Sequence, residues 1–152
     1  DLGSTLSPTN AFNIIQGLET LPLRFKKHQE NTMKVIKWMI QQKKIAKILY
    51  PYKPSSASYK LWKKYYSGAS GLLSIIINSK SKSSVYKFIN SLDLFGIGYS
   101  WGGFESLAVY QDIQREFKKY KDKNLHIVRL HIGLEDPKDL INDLRTALSY
   151  IK

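Results

Sequence analysis

The chain has 152 residues and no cysteine, and its 24 Lys and Arg residues against 12 Asp and Glu residues give a formal net charge of +12. This length suits one domain with a hydrophobic core, and without cysteine the chain can form no disulfide, thiolate metal site or catalytic thiol. No apolar run is long enough to span a bilayer and no signal-peptide pattern is visible, so we expect a cytoplasmic protein without a membrane partner.

The first predicted elements are helices. Ser7-Pro8 indicates a helix start with Ser7 as the N-cap, and Pro22 interrupts that helix. A longer helix is predicted from Leu23 to Gln42. Its polar part, between Arg24 and Thr32, is expected to run along the surface or to bridge two bodies.

The rest of the chain alternates between strands and helices, which predicts an α/β or α+β fold, a sheet covered by helices. Strands are predicted over Ile45 to Tyr50, Gly71 to Ile77 and Leu125 to Leu134. Helices are predicted over Tyr59 to Tyr66, Ser81 to Leu92 and Gln111 to Lys121, and from Asp136-Pro137 onward. The β-branched strand ending at Ile77 is expected to be buried on both faces.

The segment from Phe95 to Leu107 begins as a short apolar strand and breaks at Ser100-Trp101-Gly102-Gly103, before a second short run from Glu105 to Tyr110. Glycine at such a break suits positive φ or a close backbone approach. One reading is a hairpin or bulge whose Trp101 folds back onto the core. The other is one wall of a ligand site, in which Ser100 and backbone groups donate hydrogen bonds and Trp101 shapes the pocket.

The last predicted strand carries Arg129 in its middle. Strand alternation places Val128, Leu130 and Ile132 on one face, and Leu125, Ile127, Arg129 and His131 on the other. An arginine in this position either forms a salt bridge with a carboxylate of a neighbouring element or binds a substrate carboxylate with its planar fork. The residues alone leave both readings open.

Metal and nucleic-acid sites are not expected. The three histidines lack helical ligand spacing and a carboxylate cluster, so we interpret them as structural or surface residues. Of the 24 basic residues 20 are lysines scattered over the predicted helices, whereas arginine is the residue that best reads base edges. We therefore expect no nucleic-acid partner, and keep a stand-alone basic binding module as the less favoured alternative.

Two stretches, Ser-Trp-Gly-Gly-Phe-Glu-Ser-Leu (Ser100 to Leu107) and Val-Arg-Leu-His-Ile-Gly-Leu-Glu-Asp (Val128 to Asp136), resemble the C-terminal region of the Cys/Met-metabolism pyridoxal-phosphate enzymes. Supporting resemblance lies in Leu18 to Arg24, Tyr50-Pro51 and Ser67 to Ser74, so that it covers essentially the whole chain in the right order. Trp101 favours the cystathionine β-lyase branch, since γ-synthase and γ-lyase relatives tend to have leucine there.

By this resemblance, Arg129 would bind the α-carboxylate of an amino-acid substrate, cystathionine, and Ser100 and Trp101 would help to place that carboxylate and close the pocket. No lysine of the chain lies in the family's cofactor motif, so pyridoxal phosphate would be bound by an N-terminal domain that precedes this one. The chain is then expected to be a fragment that is inactive alone and forms a homotetramer when full length.

The resemblance also implies an architecture. Residues 1–44 would be linking helices, and residues 45–152 the small C-terminal domain of a fold-type I pyridoxal-phosphate enzyme. That domain would be a mainly antiparallel sheet covered on one face by helices. The face of the last strand with Leu125, Ile127, Arg129 and His131 would contact the cofactor domain.

Overall fold

The computed structural model describes residues 5–112 and 124–152. Within them the helices are α1 (Pro8–Glu19), α2 (Leu21–Met39), α3 (Tyr59–Tyr65), α4 (Lys82–Asn90) and α5 (Pro137–Leu148). The strands are β1 (Ile45–Leu49), β2 (Leu72–Asn78), β3 (Phe95–Ile97), β4 (Ser106–Gln111) and β5 (Leu125–His131). They form one sheet in the order β1-β2-β5-β4-β3, antiparallel except where β3 pairs with β4. The predicted α+β fold with a mainly antiparallel sheet is confirmed.

The helix starts follow the capping residues of the sequence. The Ser7 hydroxyl accepts a hydrogen bond from the Asn10 N–H at 3.2 Å, and Pro8 occupies the first turn of α1. Asp136 caps α5 in the same way, accepting from the Lys138 N–H at 2.7 Å. Each such cap satisfies a backbone donor that has no partner inside the helix, and contributes about 1 kcal/mol.

The core lies between one face of the sheet and helices α2, α4 and α5. The strands contribute alternate residues to it, among them Leu73, Ile75, Ile77, Ala108, Val128 and Leu130. The helices contribute Val35, Ile36, Met39, Val85, Phe88, Ile89, Leu140, Leu144, Ala147 and Leu148. On the opposite face Ile76 and Ile127 form a smaller cluster, so the end of β2 is buried on both faces as predicted.

The polar segment between Arg24 and Thr32 differs from its prediction, because three of its side chains are fully buried. His28, Asn31 and Thr32 each have 0% exposure. The Asn31 amide explains part of this difference, since it donates hydrogen bonds to the backbone oxygens of Gly133 at 3.1 Å and Glu135 at 3.0 Å. A buried polar group is tolerated when such partners replace water. The prediction of a surface or bridging segment is therefore wrong for these residues.

The segment between Phe95 and Leu107 does not form a hairpin. Strands β3 and β4 run parallel, with Phe95 opposite Ser106, and residues 98–105 connect them. The side chain of Trp101 is 54% exposed, so it does not fold back onto the core. Gly102 adopts a φ of +84°, a conformation that side chains with a Cβ rarely take. The hairpin reading is wrong, and the connection projects from the sheet as an exposed turn.

Two further expectations concern boundaries. The polar helix predicted from Gln111 to Lys121 lies almost entirely outside the described residues, and Gln111 itself ends β4. The division of the chain into residues 1–44 and residues 45–152 stays a prediction. Among the described residues no helix has both the length and the apolar character that a bilayer crossing requires.

Candidate substrate-carboxylate site

Arg129 lies in β5, the strand between β2 and β4, and its side chain reaches the turn that begins at Tyr99. Its guanidinium donates a hydrogen bond to the Tyr99 backbone oxygen and lies over the Tyr99 ring, 5.3 Å from the ring centroid. Since Tyr99 precedes Ser100 and Trp101, Arg129 lies against the turn that carries the other two residues singled out in the sequence.

The salt-bridge reading of Arg129 finds no support in the part of the chain that the structure describes. Within it the one ion pair joins Lys82 to Asp112, at 3.3 Å and on the surface. The guanidinium of Arg129 therefore has no carboxylate partner from residues 5–112 and 124–152. Its remaining N–H groups can donate to a ligand carboxylate, in the bidentate geometry that guanidinium favours.

Trp101 borders a cleft of about 630 Å³ on the same side of the sheet as Arg129. Leu72 also lines this cleft, and it lies directly opposite His131 on the neighbouring strand. His131 and Arg129 are two residues apart in β5, so they point to the same face of the sheet. Residues directly opposite each other in an antiparallel pair share a face, so Leu72 and Arg129 lie on one surface. The other walls are aromatic, with Phe25, Tyr50, Tyr52, Trp62, Tyr65 and Tyr66. The turn that Arg129 contacts at Tyr99 thus also borders this cleft, through Trp101.

Side chains from two distant elements hold the turn after Trp101. The Gly102 N–H donates to Nε2 of His131 at 3.1 Å, and Nε2 of His28 donates to the Gly103 oxygen at 2.9 Å. Nε of Arg24 adds a longer bond to the Gly102 oxygen, at 3.4 Å. These contacts were not foreseen from the sequence. The one sequence feature that could have indicated them is the alternation of β5, which puts His131 on the same face as Arg129.

The two stretches that carry the family resemblance meet through Glu135 and Ser106. One carboxylate oxygen of Glu135 accepts from the Ser106 N–H at 2.7 Å, and the other accepts from the Ser106 hydroxyl at 2.8 Å. The Ser106 hydroxyl in turn accepts from the Gly133 N–H at 2.9 Å. A Cβ on Gly133 would lie 2.2 Å from the Phe104 oxygen, so the close approach of the two stretches requires glycine there.

The described residues do not fit a pyridoxal-phosphate site. A lysine that carries this cofactor reacts as a neutral amine, and enzymes lower its pKa by burial or by neighbouring cations. No lysine within residues 5–112 and 124–152 is buried. The one lysine there with a clear change is Lys82, whose pKa is raised above its ordinary value, chiefly by a hydrogen bond with Tyr86. We therefore derive no catalytic step through the cofactor from these residues.

The described residues also hold no cluster of three or more His, Asp or Glu side chains that could bind a metal ion. His28 and His131 contact each other, and their hydrogen-bond partners are backbone groups of the turn. His126 lies on the opposite face of the sheet, where it contacts the Tyr110 hydroxyl and the Ser79 oxygen. All three histidines are buried, which agrees with the structural half of their interpretation from the sequence.

Comparisons with known proteins agree with the resemblance read from the motifs. Cystathionine beta-lyase of Salmonella typhimurium is 32% identical over 99% of this chain, and L-alanine/L-glutamate racemase of Wolbachia pipientis is 37% identical over 97% of it. These matches cover 39% and 37% of the relatives, so the chain spans about two fifths of their length.

A solved structure shows the same fold. Cystathionine gamma synthase from Xanthomonas oryzae, crystallised in complex with aminoacrylate and cysteine, has a TM-score of 0.86 and 28% identity. The match covers 98% of this chain and 40% of that one. Residues 1–149 match the family model described as Cys/Met metabolism PLP-dependent enzyme. The chain belongs to the Cys/Met metabolism family of PLP-dependent enzymes.

Proposed function

We propose that this chain supplies the substrate-carboxylate site of a pyridoxal-phosphate carbon–sulfur lyase, which cleaves cystathionine to homocysteine, pyruvate and ammonia. The observation that carries the proposal is Arg129. Its guanidinium lies beside the turn of Ser100 and Trp101, and no described carboxylate neutralises it. Trp101 after Ser100 is the feature that favours the β-lyase branch of the family.

Arg129 would act by orientation. A bidentate pair between its guanidinium and the α-carboxylate of the substrate fixes both the position and the plane of that carboxylate. Fixing the carboxylate restricts the direction of the bonds at the neighbouring carbon, and such restriction can supply a large part of a rate enhancement. Ser100 would add a hydroxyl donor, and Trp101 would help to place the carboxylate and close the pocket.

The cofactor would come from a separate cofactor domain of the same enzyme. Two surfaces support such a partner. Helix α1 has no buried residue, and it exposes Phe12, Ile14, Ile15 and Leu18. The turn after β3 exposes Tyr99, Trp101 and Phe104. Apolar groups in such number usually mark an interface. The expectation that the β5 face itself makes this contact needs correction, because Ile127 and His131 are buried within the chain. A homotetramer of the full enzyme belongs to the same proposal.

Product analysis tests the reaction. With L-cystathionine the holoenzyme that contains this chain is expected to release pyruvate and homocysteine in equal amounts, because a β-lyase breaks the bond between sulfur and the three-carbon unit. Chromatography of the thiols, with an enzymatic assay for pyruvate, measures both. Release of cysteine and 2-oxobutyrate would instead assign a γ-lyase, and the β-lyase proposal would be withdrawn.

The likeness to the Wolbachia racemase favours a second candidate, amino-acid racemisation. A racemase also needs the α-carboxylate held while the Cα–H bond is broken, so Arg129 would keep the same role. The two candidates differ in product. Chiral chromatography measures the conversion of L-alanine to D-alanine. Such conversion without release of pyruvate would support the racemase.

A further inference from the structure

His28 and His131 form a buried pair beneath the turn that carries Trp101. Their exposure is 0% and 2%, and their rings meet edge to face with centroids 4.9 Å apart. One ring comes from α2 and the other from the end of β5. Between them they contact backbone groups of two successive residues of the turn, the Gly102 N–H and the Gly103 oxygen.

The hydrogen-bond partners assign a different tautomer to each ring. Nε2 of His28 faces the Gly103 oxygen, which can only accept, so this nitrogen carries a proton. Nε2 of His131 faces the Gly102 N–H, which can only donate, so this nitrogen carries none. The Nδ1 atoms of both rings are buried without a hydrogen-bond partner. The pair satisfies the turn only while His131 is neutral.

The His131 ring packs against the backbone at Gly71. A Cβ on Gly71 would lie 2.9 Å from both Nδ1 and Cε1 of that ring, and 2.2 Å from the Ile132 oxygen. Glycine at this position, just before β2, therefore lets the ring pack directly on the backbone.

We infer that His28 and His131 are positioning residues, which hold Ser100 and Trp101 through the Gly102 and Gly103 peptides, and that protonation of His131 releases this hold. A protonated His131 presents an N–H to the Gly102 N–H, so the bond between them is lost. A protonated His28 keeps its donor toward Gly103, so His131 is the sensitive member. The consequence for catalysis rests on the proposed function of the turn.

The charged groups around the pair set the direction of the pH dependence. Burial has the largest effect and lowers the pKa of both histidines. Arg24 lowers the pKa of His28 further, and His28 lowers that of His131. Glu135 and the nearby Gly103 backbone raise the pKa of both rings, and Glu105 raises that of His131. The net change in pKa is downward for both rings while they hold the turn. A turn released from the histidines therefore binds protons at a higher pH than the turn they hold. The held turn loses stability relative to the released one as the pH falls below the ordinary histidine pKa of about 6.5.

Fluorine NMR of the full-length protein labelled with 5-fluorotryptophan tests the inference at the turn itself. The Trp101 resonance is assigned by its loss in Trp101→Phe. We expect it to move as the pH falls below about 6.5, the ordinary histidine pKa, because the pKa of His131 is lowered by burial. Trp38 and Trp62 do not contact the pair, so their resonances serve as internal controls and are expected to stay in place.

Two substitutions of His131 decide between positioning and simple packing. His131→Gln keeps an oxygen acceptor near the position of Nε2 but cannot titrate, so it is expected to hold the neutral-pH shift of Trp101 and to abolish its pH dependence. His131→Leu is expected to move the resonance at neutral pH toward its acid value. His126→Gln changes another buried histidine and is expected to leave the titration intact.

A Trp101 resonance that titrates in His131→Gln as it does in the parent protein would overturn the inference. So would a resonance that stays at its neutral-pH position throughout the titration of the parent protein. Because the readout is the turn and not turnover, the inference can fail while Arg129 still proves to bind carboxylate. If instead the Trp101 resonance titrates as expected but Arg129 proves not to bind carboxylate, the positioning role of the two histidines stands and only its consequence for catalysis is lost.

Discussion

Replacing Arg129 by alanine in the holoenzyme is expected to lower kcat/KM by about 30-fold to several thousand-fold. Loss of one partner from a desolvated charge pair costs about 2–5 kcal/mol, and about 1.4 kcal/mol corresponds to one decade in rate. Arg129→Lys is expected to recover only part of the loss, because an ammonium group cannot reproduce the planar fork. Steady-state kinetics with L-cystathionine measure both variants.

Arg145→Ala is the matched control. This arginine is exposed on α5, where it lies over the Trp38 ring at 5.7 Å from the centroid and donates to the Asn142 side chain. Its loss removes the same charge from the surface and is expected to leave kcat/KM within about twofold, as for a surface substitution that contributes little free energy. The cofactor absorbance is expected to stay unchanged in all three variants. Near-normal turnover in Arg129→Ala would assign this arginine a structural role.

The second large effect concerns the chain by itself. The 152-residue chain is expected to bind no stoichiometric pyridoxal phosphate and to release no pyruvate from cystathionine, because none of its described lysines is buried as a cofactor lysine would be. Absorbance titration with the cofactor and a pyruvate assay measure the two expectations.

Restoring the cofactor domain provides the positive control for that experiment. A polypeptide that joins this chain to the cofactor domain of its own enzyme is expected to show both the absorbance band and the turnover. If the isolated chain turned over cystathionine at a comparable rate, the assignment of the cofactor to another domain would be wrong.

The fold was predictable where it depends on local pattern. The alternation around Arg129 placed Val128 and Leu130 on the same face, and the structure buries both in the core, because side chains of a strand alternate whatever their neighbours are. The starts of α1 and α5 followed from Ser7 and Asp136, whose caps act over two or three residues.

The turn at Trp101 could not be predicted in the same way, because its contacts join distant residues. His28 is 75 residues from Gly103, and His131 is 29 residues from Gly102. From the sequence, the polar helix face near His28 is predicted to be solvent-exposed, because the distant backbone groups that cover it cannot be identified. The parallel pairing of β3 with β4 was missed for the related reason that a glycine-rich break between two short strands is more typical of a hairpin.

The most direct test of the central claim combines Arg129→Ala with a substrate whose α-carboxylate is replaced by the neutral amide. If Arg129 binds that carboxylate, either change alone lowers kcat/KM strongly, and the two together lower it little further, because both remove the same pair. The predicted result is a variant that no longer distinguishes cystathionine from its amide. If the two losses instead multiply, Arg129 does not contact the α-carboxylate, and the account of this site is wrong.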